Sequence, residues 1–200
     1  MQACSAAAQL SGDERRWLLR LAREAIVAAV SGDLLPAPPK PGGRLRAPAG
    51  VFVSLHANGE LRGCIGQLNT KQPVYLALIE AARAAATEDP RFFPVSRAEL
   101  PSLEIEISVL SPMQEIAASK AERIIEIGRH GLVVSQYGRR GLLLPQVPGP
   151  YGWTPREFLR QTYRKAGLHP DAWRQGATLH VFTAEVFSEE KRAAAYSSST

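Results

Sequence analysis

The chain is short of the residues that build stapled or metal-held frameworks. Its 200 residues include two cysteines, Cys4 and Cys64, and four histidines. Two thiols make no disulfide framework, and their scarcity fits a reducing, cytoplasmic setting. No His-x-His, Cys-x-x-Cys or His-Glu-x-x-His spacing occurs, which argues against a tight zinc site, and no metal is predicted. The phosphate-loop pattern GxxxxGK[ST] is missing and no GxGxxG opens a helix, so the motifs name no nucleotide and leave any cofactor unknown. No uncharged apolar stretch reaches the roughly 18 residues a membrane helix needs. The apolar run near the start is broken by Arg15, Arg16, Arg20 and Arg23, so neither a signal peptide nor a membrane span is predicted. Blocks of like charge are also lacking. The net charge of +5 and pI near 9.5 make acidic partners plausible, but the arginines are scattered and form no basic arm.

What is present is organised around Leu61-Arg62-Gly63-Cys64-Ile65-Gly66, where two glycines bracket a cysteine inside a strand-like run. Glycine weakens a strand and is tolerated where backbone bends or another group approaches, so the pair suggests an open floor around the thiol. Upstream, Val51 to His56 is a second strand-like run, and Asn58-Gly59 between the two signals a hairpin with a two-residue turn. That turn pairs Ala57 with Glu60, Leu55 with Arg62 and Val53 with Cys64. Period 2 then puts Arg62 and Cys64 on the face of Val51, Val53 and Leu55. His56 falls on the opposite face with Phe52, Leu61 and Ile65, which excludes it as a base for Cys64.

Helical periodicity predicts an amphipathic helix over Ser11 to Val30, with Ser11 and Glu14 as a capping box and Ser31-Gly32 as its stop. Pro36, Pro38, Pro39, Pro41 and Pro48 keep the next segment out of helix and central strand. Pro73 to Thr87 reads as an alanine-rich helix stopped by Asp89-Pro90, and Leu103 to Leu110 alternates as a strand packed on one face. His130 to Gln136 and Gly141 to Val147 form a second hairpin, in which Gly131-Leu-Val-Val-Ser echoes Gly50-Val-Phe-Val-Ser. A helix over Thr154 to Ala166 and a strand over Leu179 to Phe187 follow. Hairpin, helix and strand thus occur twice. The fold class is α+β with two unequal subdomains, consistent with a degenerate duplication. Residues 1–10 are predicted to be a disordered leader, 11–188 one globular unit with two subdomains, and 189–200 a frayed tail.

Cys64 is the sharpest chemical candidate, because a reactive thiol needs positive potential and access, and Arg62 two residues away supplies the first. Against this stands a small buried hydrophobe whose glycines serve packing. His130, followed by Gly131, is the imidazole chosen to meet Cys64 if the two halves face each other. Glu104 and Glu106 share one strand face, which offers carboxylates for acid–base work or an exposed polar surface. Cys64, Arg62, His130 and Glu106 are the candidate site.

The hexapeptide resembles a motif of the AMMECR family, known as protein A of the AmmeMemoRadiSam system. The resemblance continues through Asp89-Pro90-Arg91-Phe92, the strand Leu103 to Leu110, His130-Gly131-Leu132, Gly138 to Val147, Tyr151-Gly152-Trp153 and Lys165-Ala166-Gly167-Leu168. It implies a mixed α/β fold with two unequal subdomains, and association with Memo-like and radical-SAM proteins in a modification of a protein, RNA or small metabolite. Many members carry a cysteine shortly before Lys-Ala-Gly-Leu where this chain has Tyr163, which leaves Cys64 as the thiol for any chemistry. Two readings stay open: a component in which Cys64 acts as nucleophile or ligand contact, with His130 and Glu106 as acid–base groups, and a noncatalytic module that binds a peptide, nucleotide or RNA.

Overall fold

The computed structural model describes residues 9–68 and 71–189, the side chain of Trp173 excepted. Cys4 and most of the predicted leader and tail lie outside the described residues. The chain divides into two compact units, Met1–Val109 with Glu185–Thr200, and Leu110–Ala184.

The first unit opens with helix α1, Gly12–Ser31. Ser11 Oγ accepts the Glu14 N–H at 3.2 Å and Glu14 Oε2 accepts the Ser11 N–H at 2.8 Å, so two orphan donors of the first turn are satisfied reciprocally. Gly32, at φ 74°, ends the helix in the left-handed conformation. Strands β1, Val51–Ala57, and β2, Glu60–Gln67, form the first hairpin. Helix α2, Val74–Thr87, follows, and its alanines let it lie close between α1 and the hairpin. Strand β3, Leu103–Leu110, pairs with β1 on the side away from β2. Val51, Val53 and Leu55 of β1 and Ile105 and Ile107 of β3 point into one core with Leu18, Ile26 and Leu78 from the helices. The opposite sheet face carries Phe52, Ser54 and His56 beside Glu104, Glu106 and Ser108.

The second unit contains a short strand β4, Gln114–Glu115, and a single helical turn α3, Ala121–Ile124. The hairpin of β5, His130–Gln136, and β6, Arg139–Leu143, comes next, so the second arm starts at the turn and stops before Pro145. Helix α4, Pro155–Lys165, begins with a reciprocal Thr154–Glu157 capping box and Pro at its first position. Strand β7, Thr178–Ser188, pairs with β4 and β5 through residues 178–183. Leu132, Val134, Phe158, Tyr163, Leu179 and Val181 are the buried centre of this unit.

The two hairpins can be aligned residue by residue from their turns. Asn58 and Gly59 have φ 54° and 82°, and Tyr137 and Gly138 have 48° and 78°, so both hairpins close through a two-residue turn with positive φ at both positions. Counting back from the turns, Leu55 of β1 corresponds to Val134 of β5. Leu55 pairs Gly63 and Val134 pairs Gly141. A Cβ on Gly63 would sit 2.3 Å from the Ala85 carbonyl oxygen of α2, and one on Gly141 would sit 2.6 Å from the Thr162 carbonyl oxygen of α4. Each unit therefore presses the C-terminal end of its helix onto a glycine at the same place in its hairpin. The echo between Gly50 and Gly131 seen in sequence is two residues out of step with this alignment.

Candidate functional site

The first hairpin differs from the second by one residue. The register runs Ala57↔Glu60 and His56↔Leu61, then shifts, so that Leu55 faces Gly63, Ser54 faces Cys64 and Val53 faces Ile65. Arg62 is the extra residue of a β-bulge and has no partner across the ladder. The expected pairs Leu55–Arg62 and Val53–Cys64 are therefore corrected, and with them the faces. A single inserted residue reverses every side chain beyond it. Cys64 lies not with Val53 and Leu55 but on the face of Phe52, Ser54 and His56. The exclusion of His56 by strand parity falls: His56 shares the face of Cys64, two residues along β1 from its partner Ser54.

On that face Ser54 Oγ donates to Cys64 Sγ at 3.3 Å. Ser54 also pairs with Glu106 on β3, so Cys64, Ser54 and Glu106 form one row across three strands. Cys64 is half-buried and Ser54 is buried.

The main chain of Cys64 is held from the side. Its N–H donates to Asp89 Oδ2 at 2.8 Å, and its carbonyl accepts from Arg91 Nη2 at 3.3 Å. Arg91 also grips Asp89 through Nε to Oδ1 at 2.9 Å and Nη2 to Oδ2 at 2.6 Å. On the edge strand, Asp89 and Arg91 thus supply the acceptor and donor that a neighbouring strand would otherwise give. The Asp89 side chain is 2% exposed. Its pKa is lowered to about 2, first by the hydrogen bonds from Arg91, which outweigh burial, and further by the N–H groups of Cys64 and Arg91.

Arg62 does not turn its charge on the sulfur. Its Nε donates to Glu99 Oε1 at 2.7 Å and its Nη2 to the Pro94 carbonyl at 3.4 Å. Hydrogen bonds from Arg62, then from the Ser96 N–H and hydroxyl, bring Glu99 down to a pKa of about 2. The centre of the Phe92 ring lies 5.9 Å from the Arg62 guanidinium carbon and 5.3 Å from that of Arg91, and so joins the two ion pairs.

The two glycines leave no open floor. Ala85 occupies the space beside Gly63, and the Val51 carbonyl and Phe52 ring, at 2.3 and 2.4 Å from a notional Cβ, occupy that beside Gly66. They allow close packing around Cys64 and give no room to a ligand.

The structure thus brings Cys64 and Glu106 onto one row of the first unit, with Arg62 at its bulge. His130 stands in the second unit at the head of β5, where its Nδ1 accepts the Glu126 N–H at 3.0 Å and burial lowers its pKa. Ser54, Asp89 and Arg91 were not foreseen. Asp89-Pro90-Arg91 reads in sequence as a helix stop, and its place among the motifs of the family resemblance is the signal that marks it as more. Tyr163 is fully buried in the second unit. Among the described residues, no group of three or more His, Cys, Asp or Glu side chains is placed to hold a metal, and no helix is long and apolar enough to cross a membrane.

The AMMECR1 family model matches residues 19–187, and the chain belongs to the AMMECR1 family. It is 44% identical to Protein MK0488 of Methanopyrus kandleri, with 92% of each chain covered. A protein of Thermococcus gammatolerans is 45% identical over 87% of this chain and 89% of its own. The crystal structure of the uncharacterised protein PH0010 from Pyrococcus horikoshii has the same fold, with a TM-score of 0.81 at 40% identity, covering 87% of this chain and 90% of that one.

Proposed function

We propose that the first unit works through Cys64 as a nucleophile, with Ser54 orienting the sulfur and Glu106, next in the same row, as acid–base group. A buried, ionised carboxylate is costly to desolvate, and here Asp89 is committed to the main chain of Cys64 and to the arginine that grips its carbonyl. That commitment to fixing one thiol is the observation that carries the reading. Arg62 holds the bulge in place through Glu99 and Phe92 and acts on the sulfur only through that geometry. His130, a half-buried imidazole, is the second unit's candidate proton carrier. The resemblance to protein A of the AmmeMemoRadiSam system extends the proposal to a modification of a protein, RNA or small metabolite alongside Memo-like and radical-SAM proteins in a reducing cytoplasm.

One observation favours the alternative, a noncatalytic binding module: the cation expected beside the sulfur is spent on Glu99 at 2.7 Å. Alkylation separates the two. In a Cys4→Ser background, iodoacetamide followed by intact mass should label Cys64 in the native state, and Ser54→Ala, which removes the donor to the sulfur, should slow the labelling. Labelling that begins only on unfolding would leave the binding module as the better reading.

A further inference from the structure

The charge of this protein is carried on one unit. Residues 110–184 hold ten Lys and Arg against five Asp and Glu, while the rest of the chain is balanced at fourteen of each, so the second unit accounts for the whole net charge of +5. Part of that excess converges. A pocket of about 810 Å³ is lined by Arg123, Arg156, Arg160 and Arg174, with Glu122 and Asp171 as its acids. Arg156 and Arg160 stand one turn apart on α4 and so project from one face. Arg156 pairs with Glu122 at 3.0 Å, but neither Arg123 nor Arg160 meets a carboxylate among the described residues, and both are exposed.

An aromatic pair stands at the N-terminal end of the same helix. Tyr151 and Trp153, immediately before the Thr154 cap, stack with centroids 4.9 Å apart and planes 17° from parallel. Trp153 is packed against the core of the unit, whereas Tyr151 is 68% exposed. A solvent-facing tyrosine held flat by a tryptophan behind it offers its outer ring face to another flat group.

We infer that this arginine pocket and the Tyr151–Trp153 stack form a binding surface for single-stranded nucleic acid, the arginines taking phosphates and Tyr151 stacking a base. The guanidiniums of Arg123 and Arg160, free of carboxylates, suit phosphate oxygens, and a sequence-tolerant aromatic platform at the end of the helix that carries Arg160 is suited to an unpaired base. A duplex keeps its bases inside the helix and would use the charge alone. The inference stands apart from the thiol chemistry proposed for the first unit.

The test is fluorescence anisotropy of a labelled single-stranded RNA with the full chain over a salt series. Two phosphate contacts, from Arg123 and Arg160, predict a slope of log affinity against log salt of about −1.4, from roughly 0.7 per contact on a single strand. Arg123→Ala with Arg160→Ala should remove most of that slope, and Tyr151→Ala should weaken binding by about tenfold while leaving the slope unchanged. All three residues are exposed, and matching circular dichroism would show that the variants fold. No binding at low salt, or wild-type affinity in the arginine variant, overturns the inference. So does equal affinity for the duplex together with an unaffected Tyr151→Ala.

Discussion

Replacing Asp89 by asparagine should cost the first unit about 2 to 3 kcal/mol at neutral pH. The carboxylate titrates near 2 in the folded protein against an ordinary 3.8. A difference of that size corresponds to about 2.5 kcal/mol of stability carried by the ionised form. The amide that takes its place accepts less strongly from the Cys64 N–H and leaves Arg91 without its counter-ion. The second loss stays modest because Arg91 is 54% exposed and can be rehydrated. The sign with pH follows from the lowered pKa. The stabilisation is fully present above the unfolded value and drains away as pH falls from about 4 through about 2. The gap between wild type and Asp89→Asn should therefore narrow across that window, while Glu99 titrates alike in both proteins and cancels. Urea unfolding followed by Trp17 fluorescence, with Trp153 and Trp173 replaced by phenylalanine, reads the first unit at each pH. A variant within about 0.5 kcal/mol of wild type at neutral pH, the range of an ordinary surface change, would refute the reasoning. A gap that does not narrow in acid would do so as well.

Two other substitutions probe the packing. Gly63→Ala puts a methyl group 2.3 Å from the Ala85 carbonyl oxygen, so α2 must move and the urea midpoint of the first unit should fall by the equivalent of about 2 kcal/mol. An unchanged midpoint would mean that the helix does not lie on β2 as described. Tyr163 is fully buried and its hydroxyl has no partner among the described residues, with burial pushing its pKa up to about 12. Tyr163→Phe removes an unpaired polar group and should be neutral or stabilising by about 1 kcal/mol, so destabilisation in a thermal melt would reveal a missing partner such as a buried water.

Much of this architecture is legible in sequence because it rests on local chemistry. Ser11 with Glu14, Thr154 with Pro155 and Glu157, and Asn58-Gly59 each act within a few residues, and the elements they mark lie within a residue or two of where the sequence puts them. The alternation of Leu103 to Leu110 shows its buried face directly. What could not be read is the bulge. Arg62 interrupts no hydrophobic pattern, since Gly63 and Gly66 have no side chains to betray a change of face, so a regular ladder fits the letters equally well. The role of Asp89 was hidden for a related reason: its partner is a backbone N–H on another element, and main-chain donors leave no mark on composition. Beyond the bulge a regular ladder misplaces Cys64 and Ile65 together and takes His56 off the face of the thiol.

The register is the point on which the candidate site rests, and a disulfide reads it directly. Residues directly opposite on antiparallel strands have Cα atoms about 4.5–5.5 Å apart, within the range a disulfide spans, whereas neighbours on opposite faces point away from each other. In a Cys4→Ser background, Ser54→Cys and Val53→Cys each leave one new thiol to meet Cys64. Mild oxidation followed by intact mass under non-reducing conditions should show Ser54→Cys losing two hydrogens as it crosslinks to Cys64, with Val53→Cys remaining reduced. Crosslinking by Val53→Cys instead would restore the unbulged ladder, return Cys64 to the core face and contradict the site described here.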